Sequence, residues 1–213
     1  MNKNSRVKAV ISLDAVEQNF REMRKNIAED TKMIAVVKAD AYGHGAVPIA
    51  HLIEKYDYIW GFAAATAEEA VHLRQNGVTK PILILGIVFE EYYPELVRDD
   101  IRLAVCEYEE AEKLSREAVL QNKTVHIHIA LDTGMTRIGY ADIPESVNEI
   151  KKISKLPNLE IEGMFTHFSR ADEYDRSPAM VQLERYQRFS ELVEKAGVKI
   201  PLHHCSNSAG IIR

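Results

Sequence analysis

The sequence predicts an α/β fold, a (β/α)8 barrel of parallel strands. Seven short apolar runs alternate with segments of helical periodicity, which is typical of a parallel sheet covered by helices. Most runs are almost continuously apolar, as expected for strands buried on both faces. An open doubly wound sheet would give the same alternation, but no glycine-rich dinucleotide fingerprint follows any run. The barrel is therefore the preferred architecture.

The predicted strands occupy the segments 33–38, 58–63, 81–86, 102–106, 125–131, 161–168 and 201–206. A barrel of eight strand–helix units usually needs about 250 residues. This chain has 213 residues, and its last positions resemble the start of a helix. We therefore expect a barrel that is truncated after its seventh strand.

Helix-start signals support these boundaries. The longest predicted helix begins at Ser177, whose neighbour Pro178 is favoured in a first turn. A shorter helix is expected to begin near Ala46. Three pairs have the spacing of a capping box, in which a glutamate three positions after the N-cap bonds back to it: Asp14 with Glu17, Thr66 with Glu69, and Asp142 with Glu145.

Composition and charge exclude several classes of protein. With 27 Lys and Arg against 32 Asp and Glu, the formal net charge is −5, which argues against a nucleic-acid binder. Two cysteines, Cys106 and Cys205, are too few for a disulfide framework. The N-terminus lacks the apolar core of a signal peptide, and the longest apolar stretch, 81–89, is far shorter than the roughly 18 residues of a membrane span. We therefore expect a cytoplasmic protein with no membrane partner.

The most unusual residue at a predicted strand end is Lys38, which closes the apolar run 34–37. Active groups of barrel enzymes lie at the carboxyl ends of the strands and in the loops that follow. A lysine amine shielded from water at such a position is a nucleophile toward carbonyl groups. Most lysines at strand ends extend to solvent instead, so position alone leaves a surface role for Lys38 open.

The surroundings of Lys38 favour the catalytic interpretation. Tyr42 follows four positions later, between small residues that let backbone approach a ligand closely. The helix expected from Ala46 would direct free amides at an anion, and so would Asn207 and Ser208 after the seventh strand. Plain helix N-capping is the alternative for these last two residues. A carbonyl-reactive lysine beside phosphate-binding helix starts predicts a pyridoxal phosphate site.

Four segments, in this order, resemble the hallmark motifs of the alanine racemases. Residues 35–45, AVVKADAYGHG, are similar to the family's cofactor-lysine signature. Residues 131–139 (LDTGMTRIG), 165–168 (FTHF) and 206–209 (SNSA) are similar to its second, third and fourth hallmarks. The resemblance covers essentially the whole chain.

The resemblance implies that residues 1–213 form an incomplete N-terminal (β/α)8 barrel domain that binds pyridoxal phosphate. The family's C-terminal β-domain lies outside this chain, and the full-length enzyme of the family is a homodimer. The implied reaction interconverts L-alanine and D-alanine, which supplies D-alanine for peptidoglycan. The small-molecule substrate would therefore be the amino acid alanine.

The resemblance also assigns roles to single residues. Lys38 would hold the cofactor as an aldimine and act as one of two catalytic bases. Arg137 would meet the phenolic oxygen of the cofactor and the substrate carboxylate, as suits an arginine fork. His167 would lie beside the pyridine ring. Three further residues match positions around the cofactor phosphate: Tyr42, Asn207 and Ser208.

Two departures from the family pattern bear on activity. The family's usual lysine seven residues before the motif arginine, often carbamylated to orient it, is Ala130 here. Alanine cannot pair with Arg137. The chain also stops before the family's opposite-face catalytic tyrosine, which reaches across the dimer. We therefore expect this chain to be inactive as a racemase on its own.

Three other functions remain open from the sequence. A serine racemase would share the same barrel motifs, and a single-domain pyridoxal phosphate carrier would have a similar length. A metal-dependent barrel hydrolase is suggested by His126 and His128, which lie on one face of a predicted strand. Both lie well before the strand's carboxyl end, and His203 and His204 point to opposite faces of theirs. We therefore expect His126 and His128 to be structural, with no metal site.

Overall fold

A curled sheet of parallel strands forms the centre of the molecule, and the computed structural model describes the chain over residues 7–212. The strands pair in the order β1-β2-β3-β4-β5-β7-β8, and the two-residue strand β6 pairs with the end of β5. Their bounds are β1 Met33–Val36, β2 Ile59–Ala64, β3 Ile82–Ile84, β4 Arg102–Val105, β5 Val125–Asp132, β6 Tyr140–Ala141, β7 Leu159–Phe165 and β8 Leu202–His204. Within residues 7–212, β1 and β8 are the two edges of this sheet, and no strand joins them. The prediction of a barrel that reaches its seventh main strand is confirmed.

Helices connect the strands and cover the outside of the sheet. Their bounds are α1 Leu13–Arg24, α2 Lys38–Gly43, α3 Ala46–Ile53, α4 Ala67–Gln75, α5 Tyr93–Arg98, α6 Tyr108–Leu120, α7 Pro144–Ile153, α8 Ser177–Lys195 and α9 Ser208–Ile212. The predicted starts near Ala46 and at Ser177 are confirmed. In the described part of the chain, no helix has the length and apolar character that a bilayer crossing requires.

None of the three predicted capping boxes forms in full, and in two of them the N-cap residue also differs from the prediction. Helix α1 is capped by Ser12, whose hydroxyl accepts a hydrogen bond from the Ala15 amide at 3.3 Å. Glu17 instead forms an ion pair with Lys55 at 2.8 Å. Helix α7 has Ile143 at its N-cap with no side-chain bond, because Asp142 pairs with an arginine of α8. Long-range charge partners have displaced the local bonds at both sites.

Side chains of the strands alternate between two clusters. Leu103, Ile129 and Met164 belong to the main core under the helices, where each fully buried aliphatic side chain contributes about 1.5–3 kcal/mol. Their neighbours form a small separate cluster of Ala104, Ala130 and Phe165. Because successive strand residues point to opposite faces, this second cluster lies on the inner face of the curled sheet.

The inner face also holds a polar network, in which His128 is fully buried. Its Nε2 lies 3.2 Å from Glu162 Oε2, which also accepts a bond from Arg102 Nε at 3.2 Å. Its Nδ1 lies 2.8 Å from His204 Nε2. Because a carboxylate only accepts, the neutral His128 ring donates through Nε2 and its Nδ1 accepts from His204. Gly163 makes room for this ring, since a Cβ there would lie 2.4 Å from Nδ1.

The network has unusual proton affinities. Burial lowers the pKa of His128, and it lowers the pKa of His204 to about 3. Burial opposes ionisation of Glu162, yet the hydrogen bond from His128 and the charge of Arg102 hold its pKa below the usual value. The folded chain therefore favours two neutral histidines and an ionised glutamate inside the barrel.

The other histidines of the metal hypothesis lie apart from this pair. His203 points outward, where its Nδ1 lies 2.9 Å from the Tyr186 hydroxyl, so it faces away from His204 as predicted. His126 Nδ1 lies 3.5 Å from Asp100 Oδ1. Over residues 7–212, no group of 3 or more His, Cys, Asp or Glu side chains is placed to hold a metal ion. The contacts of His128 are those of a structural residue.

The histidine pair predicts an acid-sensitive fold. The unfolded chain binds protons at both histidines below their usual pKa of about 6.5, whereas the folded chain does not. We expect the free energy of unfolding to fall as pH decreases from about 6.5 toward 5, by up to about 1.4 kcal/mol per pH unit for each histidine. Urea unfolding at a series of pH values measures this slope.

His204→Asn removes one of the two histidines that bind a proton only in the unfolded chain, and it should reduce the slope of unfolding free energy against pH by about half. The control is His72→Asn, since His72 is exposed on α4 and outside the network. An unchanged slope in His204→Asn would contradict the assignment.

Candidate active site

The predicted site residues follow four different strands at the carboxyl edge of the sheet. Lys38 follows β1, Arg137 lies in the loop after β5, and His167 follows β7. Asn207 and Ser208 follow β8, where Ser208 is the first residue of α9. Parallel pairing brings these strand ends to one edge, which is the arrangement expected from the sequence.

The chain leaves β1 through the short segment α2, whose residues form a left-handed turn rather than a right-handed helix. All four residues from Ala39 to Tyr42 have φ between 51° and 55°. For residues with a Cβ, this conformation costs about 1–2 kcal/mol each. Backbone bonds close the turn, from the Ala41 amide to the Val37 carbonyl at 2.8 Å and from the Gly45 amide to the Asp40 carbonyl at 2.9 Å. A strained segment therefore begins directly after Lys38.

Two carboxylates secure this turn. Glu69 Oε1 accepts from the Ala39 amide at 2.7 Å, and its Oε2 accepts from the Ala65 amide at 2.8 Å. Asp40 Oδ1 accepts from the Ala46 amide at 2.7 Å, at the start of α3. Thr66 caps α4 as predicted, but Glu69 does not bond back to it as a capping box requires.

The turn brings Tyr42 back toward Lys38. Lys38 Nζ lies 5.9 Å from the centre of the Tyr42 ring. Lys38 is half-buried, and Tyr42 is 64% exposed. The amine therefore lies at the open mouth of the barrel rather than in a dry interior.

The loop after β5 presents Arg137. Asp132 Oδ1 accepts from the amides of Gly134 at 2.8 Å and Thr136 at 3.0 Å, which folds the loop. Arg137 is exposed, and its guanidinium has no hydrogen-bond or ion-pair partner within residues 7–212. Ala130 is buried in the small inner cluster and provides no polar group.

His167 lies close to both cations. Burial lowers the pKa of its imidazole, and the positive charges of Arg137 and Lys38 lower it further. The strand ends thus bring together two cations without carboxylate partners in the described chain and a histidine that favours its neutral form. An anionic ligand with a group that reacts with amines fits this combination, and pyridoxal phosphate is such a ligand.

Asn207 acts as a helix cap in the structure. Its Oδ1 accepts from the Gly210 amide at 3.0 Å, and its Nδ2 donates to the Phe168 carbonyl at 3.2 Å. These bonds connect the end of β8 to the residue after His167. Ser208 is exposed beside it. The capping alternative considered for Asn207 therefore describes its contacts.

Sequence reasoning missed Gln182, a residue of α8 that is 4% exposed. Its Nε2 donates to Thr133 Oγ1 at 3.1 Å and to the His167 carbonyl at 3.0 Å. Its Oε1 accepts from the Ser169 amide at 2.9 Å. One buried amide thus joins the loops that hold Arg137 and His167. The available signal was a glutamine within the apolar stripe of the longest helix.

Residues 11–213 match the family described as the alanine racemase N-terminal domain. The chain belongs to this family. The alanine racemase of Clostridium kluyveri is 43% identical over 202 residues, which are 95% of this chain and 51% of that protein. The chain spans about half the length of the curated relatives it matches. Recognition of the family from the four motifs is confirmed.

Solved structures agree with this assignment. The alanine racemase of Clostridium difficile matches with a TM-score of 0.92 at 41% identity, and the matched region covers 94% of this chain and 52% of that protein's chain. That protein has also been solved in complex with cycloserine. The histidine racemase of Leuconostoc mesenteroides has a TM-score of 0.85 at 27% identity, over 94% of this chain and 53% of its own. The same barrel thus occurs in racemases with different names.

The charges around His167 predict a measurable titration. Arg137→Gln removes one of the two positive charges, so we expect the pKa of His167 to rise toward its usual value while burial still holds it below. Histidine-resolved NMR titration measures the midpoint. Arg116→Gln, on the exposed face of α6, is the control and should leave the midpoint unchanged. A titration midpoint of His167 that Arg137→Gln leaves unchanged would contradict the effect of the Arg137 charge on His167.

Proposed function

We propose that residues 1–213 are the cofactor-binding barrel domain of a pyridoxal phosphate-dependent alanine racemase. The observation that carries the proposal is the convergence of the half-buried Lys38 amine, a histidine that favours its neutral form and Arg137, whose guanidinium has no partner among residues 7–212. Family membership supports the reaction, and the names of the relatives support alanine as the substrate. D-Alanine for peptidoglycan would be the product, made in the cytoplasm.

Lys38 has the central role in this proposal. Pyridoxal phosphate, when bound, withdraws electrons from the α-carbon of an attached amino acid and so acidifies its α-proton. The Lys38 amine would hold the cofactor and would take up or return the α-proton on one face of the substrate. Its position at the mouth of the barrel leaves the amine accessible to both molecules.

The other site residues hold and orient. Arg137 offers a planar fork for the substrate carboxylate and the phenolic oxygen of the cofactor. His167 lies beside the ring and, in its neutral form, adds no third positive charge. Tyr42, which follows β1, and Asn207 and Ser208, which follow β8, would bind the phosphate at the carboxyl edge of the sheet.

Ala130 leaves Arg137 without an internal anchor. The small inner cluster around Ala130 is apolar, so it provides neither a hydrogen-bond acceptor nor a negative charge for the guanidinium. We propose that the bound ligand itself orients Arg137. Binding would therefore carry the entropy cost of ordering this side chain.

Racemisation needs a second base on the opposite face of the substrate. We propose that a part of the protein outside this chain supplies it, in a homodimer with a C-terminal β-domain. The chain alone would then exchange the α-proton of an amino acid without inverting the configuration at the α-carbon.

The substrate side chain is not selected by these residues alone. A histidine racemase has the same barrel at a TM-score of 0.85, so the barrel accommodates more than one substrate. Serine racemase, which the barrel motifs leave open, is the second candidate activity, and a pyridoxal phosphate carrier without catalysis is the third.

The cofactor site is tested by trapping. We expect pyridoxal phosphate followed by borohydride to leave a pyridoxyl group on the peptide that contains Lys38, and Lys38→Arg to abolish that product. The control is Lys80→Arg, since Lys80 is also half-buried but precedes β3 and lies at the opposite edge of the sheet. Peptide mass spectrometry locates the group. Absent labelling, or labelling spread over surface lysines, would contradict the proposal.

Proton exchange separates a racemase domain from a carrier. In heavy water with pyridoxal phosphate, we expect this chain to exchange the α-proton of one alanine enantiomer faster than the other. Lys38→Arg should stop that exchange because the single base is lost. NMR follows the α-proton signal. Labelling at Lys38 with no exchange of either enantiomer would favour the carrier.

A further inference from the structure

Two glutamates occupy equivalent positions after alternate strands of the barrel, β2 and β4. Glu69 and Glu110 are each the third residue of a helix, α4 after β2 and α6 after β4. Each accepts the backbone amide of the residue before its N-cap, Ala65 for Glu69 and Cys106 for Glu110, at 2.8 Å in both cases. Each side chain therefore makes the same kind of local capping bond at the start of its own helix.

The second bond of each glutamate is different. Glu110 Oε2 also accepts from the amide of its own N-cap, Glu107, at 3.2 Å. Glu69 Oε1 instead reaches the Ala39 amide at 2.7 Å, 30 residues away along the chain. Glu69 alone of this pair thus links the end of β2 to the residue that follows Lys38.

The Ala39 amide is the point at which the left-handed turn begins. The peptide between Lys38 and Ala39 precedes a residue with φ of 51°, a conformation that alanine disfavours. A hydrogen bond from this amide to a carboxylate is charge-assisted and hence short and directional. It restricts rotation of that peptide, and so it restricts the direction of the Lys38 side chain.

We propose that Glu69 is a positioning residue for Lys38, whose carboxylate holds the Lys38–Ala39 peptide in the left-handed turn and thereby fixes the amine at the barrel mouth. The inference rests on the proposed function of Lys38 as the residue that binds the cofactor. Glu69 itself touches neither cofactor nor substrate in this role.

The matched variants are Glu69→Gln and Glu110→Gln. Each replaces one carboxylate oxygen by an NH2 group, which cannot accept a hydrogen bond, and each keeps the size of the side chain. Only Glu69→Gln affects the bond to Ala39. Glu69 uses both of its oxygens, so Glu69→Gln loses one of two acceptors, whereas Glu110 accepts both bonds through Oε2 and Glu110→Gln can keep them. Thermal melting of both variants measures the stability that each change costs.

Three readouts follow the Lys38 region. Borohydride trapping of pyridoxal phosphate gives the rate at which Lys38 reacts, and competitive acetylation by acetic anhydride over a pH series reports the same amine without the cofactor. Hydrogen exchange of the peptide 38–45 reports the Ala39 amide. We expect Glu69→Gln to slow trapping at Lys38 by about tenfold, to shift the pH profile of acetylation and to speed amide exchange. Glu110→Gln should match the unmodified chain in all three.

The outcomes separate positioning from stability and from the proposed function. Equal trapping, acetylation and exchange in Glu69→Gln and the unmodified chain would overturn the inference. So would slower trapping in both variants in proportion to their loss of melting temperature. If the unmodified chain is not trapped at Lys38, the proposed function fails, and a changed acetylation profile in Glu69→Gln would still support positioning.

A shorter side chain provides a second test if Glu69→Gln does not fold. Glu69→Asp keeps the charge but is too short to reach both Ala39 and Ala65. We expect it to retain the cap at α4 and to show the faster exchange of the peptide 38–45. Unchanged exchange and unchanged trapping in Glu69→Asp would also overturn the inference.

Discussion

Parallel pairing of the strands is the constraint on which the rest of this structure depends. It brings the carboxyl ends of β1, β5, β7 and β8 to one edge, so residues far apart in sequence meet there. Lys38 and His167 come together for this reason, although 129 positions separate them. Burial at this edge lowers the pKa of His167, and the charges of Arg137 and Lys38, brought to the same edge by the parallel strands, lower it further.

Side-chain hydrogen bonds convert this common edge into a defined site. Glu69 ties the turn after β1 to the end of β2, and Gln182 ties the loops after β5 and β7 together. Asn207 adds a bond between the ends of β7 and β8. Glu69 and Asn207 bond to backbone groups, and Gln182 bonds to backbone groups and to Thr133 Oγ1, so these bonds hold the loops that carry the cations.

The interior of the barrel is organised in layers with different chemistry. Deeper in the sheet, His128, Glu162 and Arg102 satisfy one another in a region with little water. Nearer the mouth, Ala130 and Phe165 form an apolar layer between this network and the candidate site. This apolar layer separates the buried charges from the candidate site. The polar groups below it are already paired with one another, so they have no hydrogen bond to offer a ligand.

Apolar runs and short motifs are local properties of the chain, so the fold class and the family could be predicted from the sequence alone. It also placed Lys38, Arg137, His167, Asn207 and Ser208 at strand ends. Tertiary structure decided which partner each polar group takes. The spacing of Thr66 and Glu69 predicted a local capping box, yet Glu69 bonds to Ala39 because the fold brings that amide within 2.7 Å. The left-handed turn at Ala39 was likewise not predictable, since alanine disfavours positive φ and the local bonds that close the turn are supplemented by Glu69, 30 residues away.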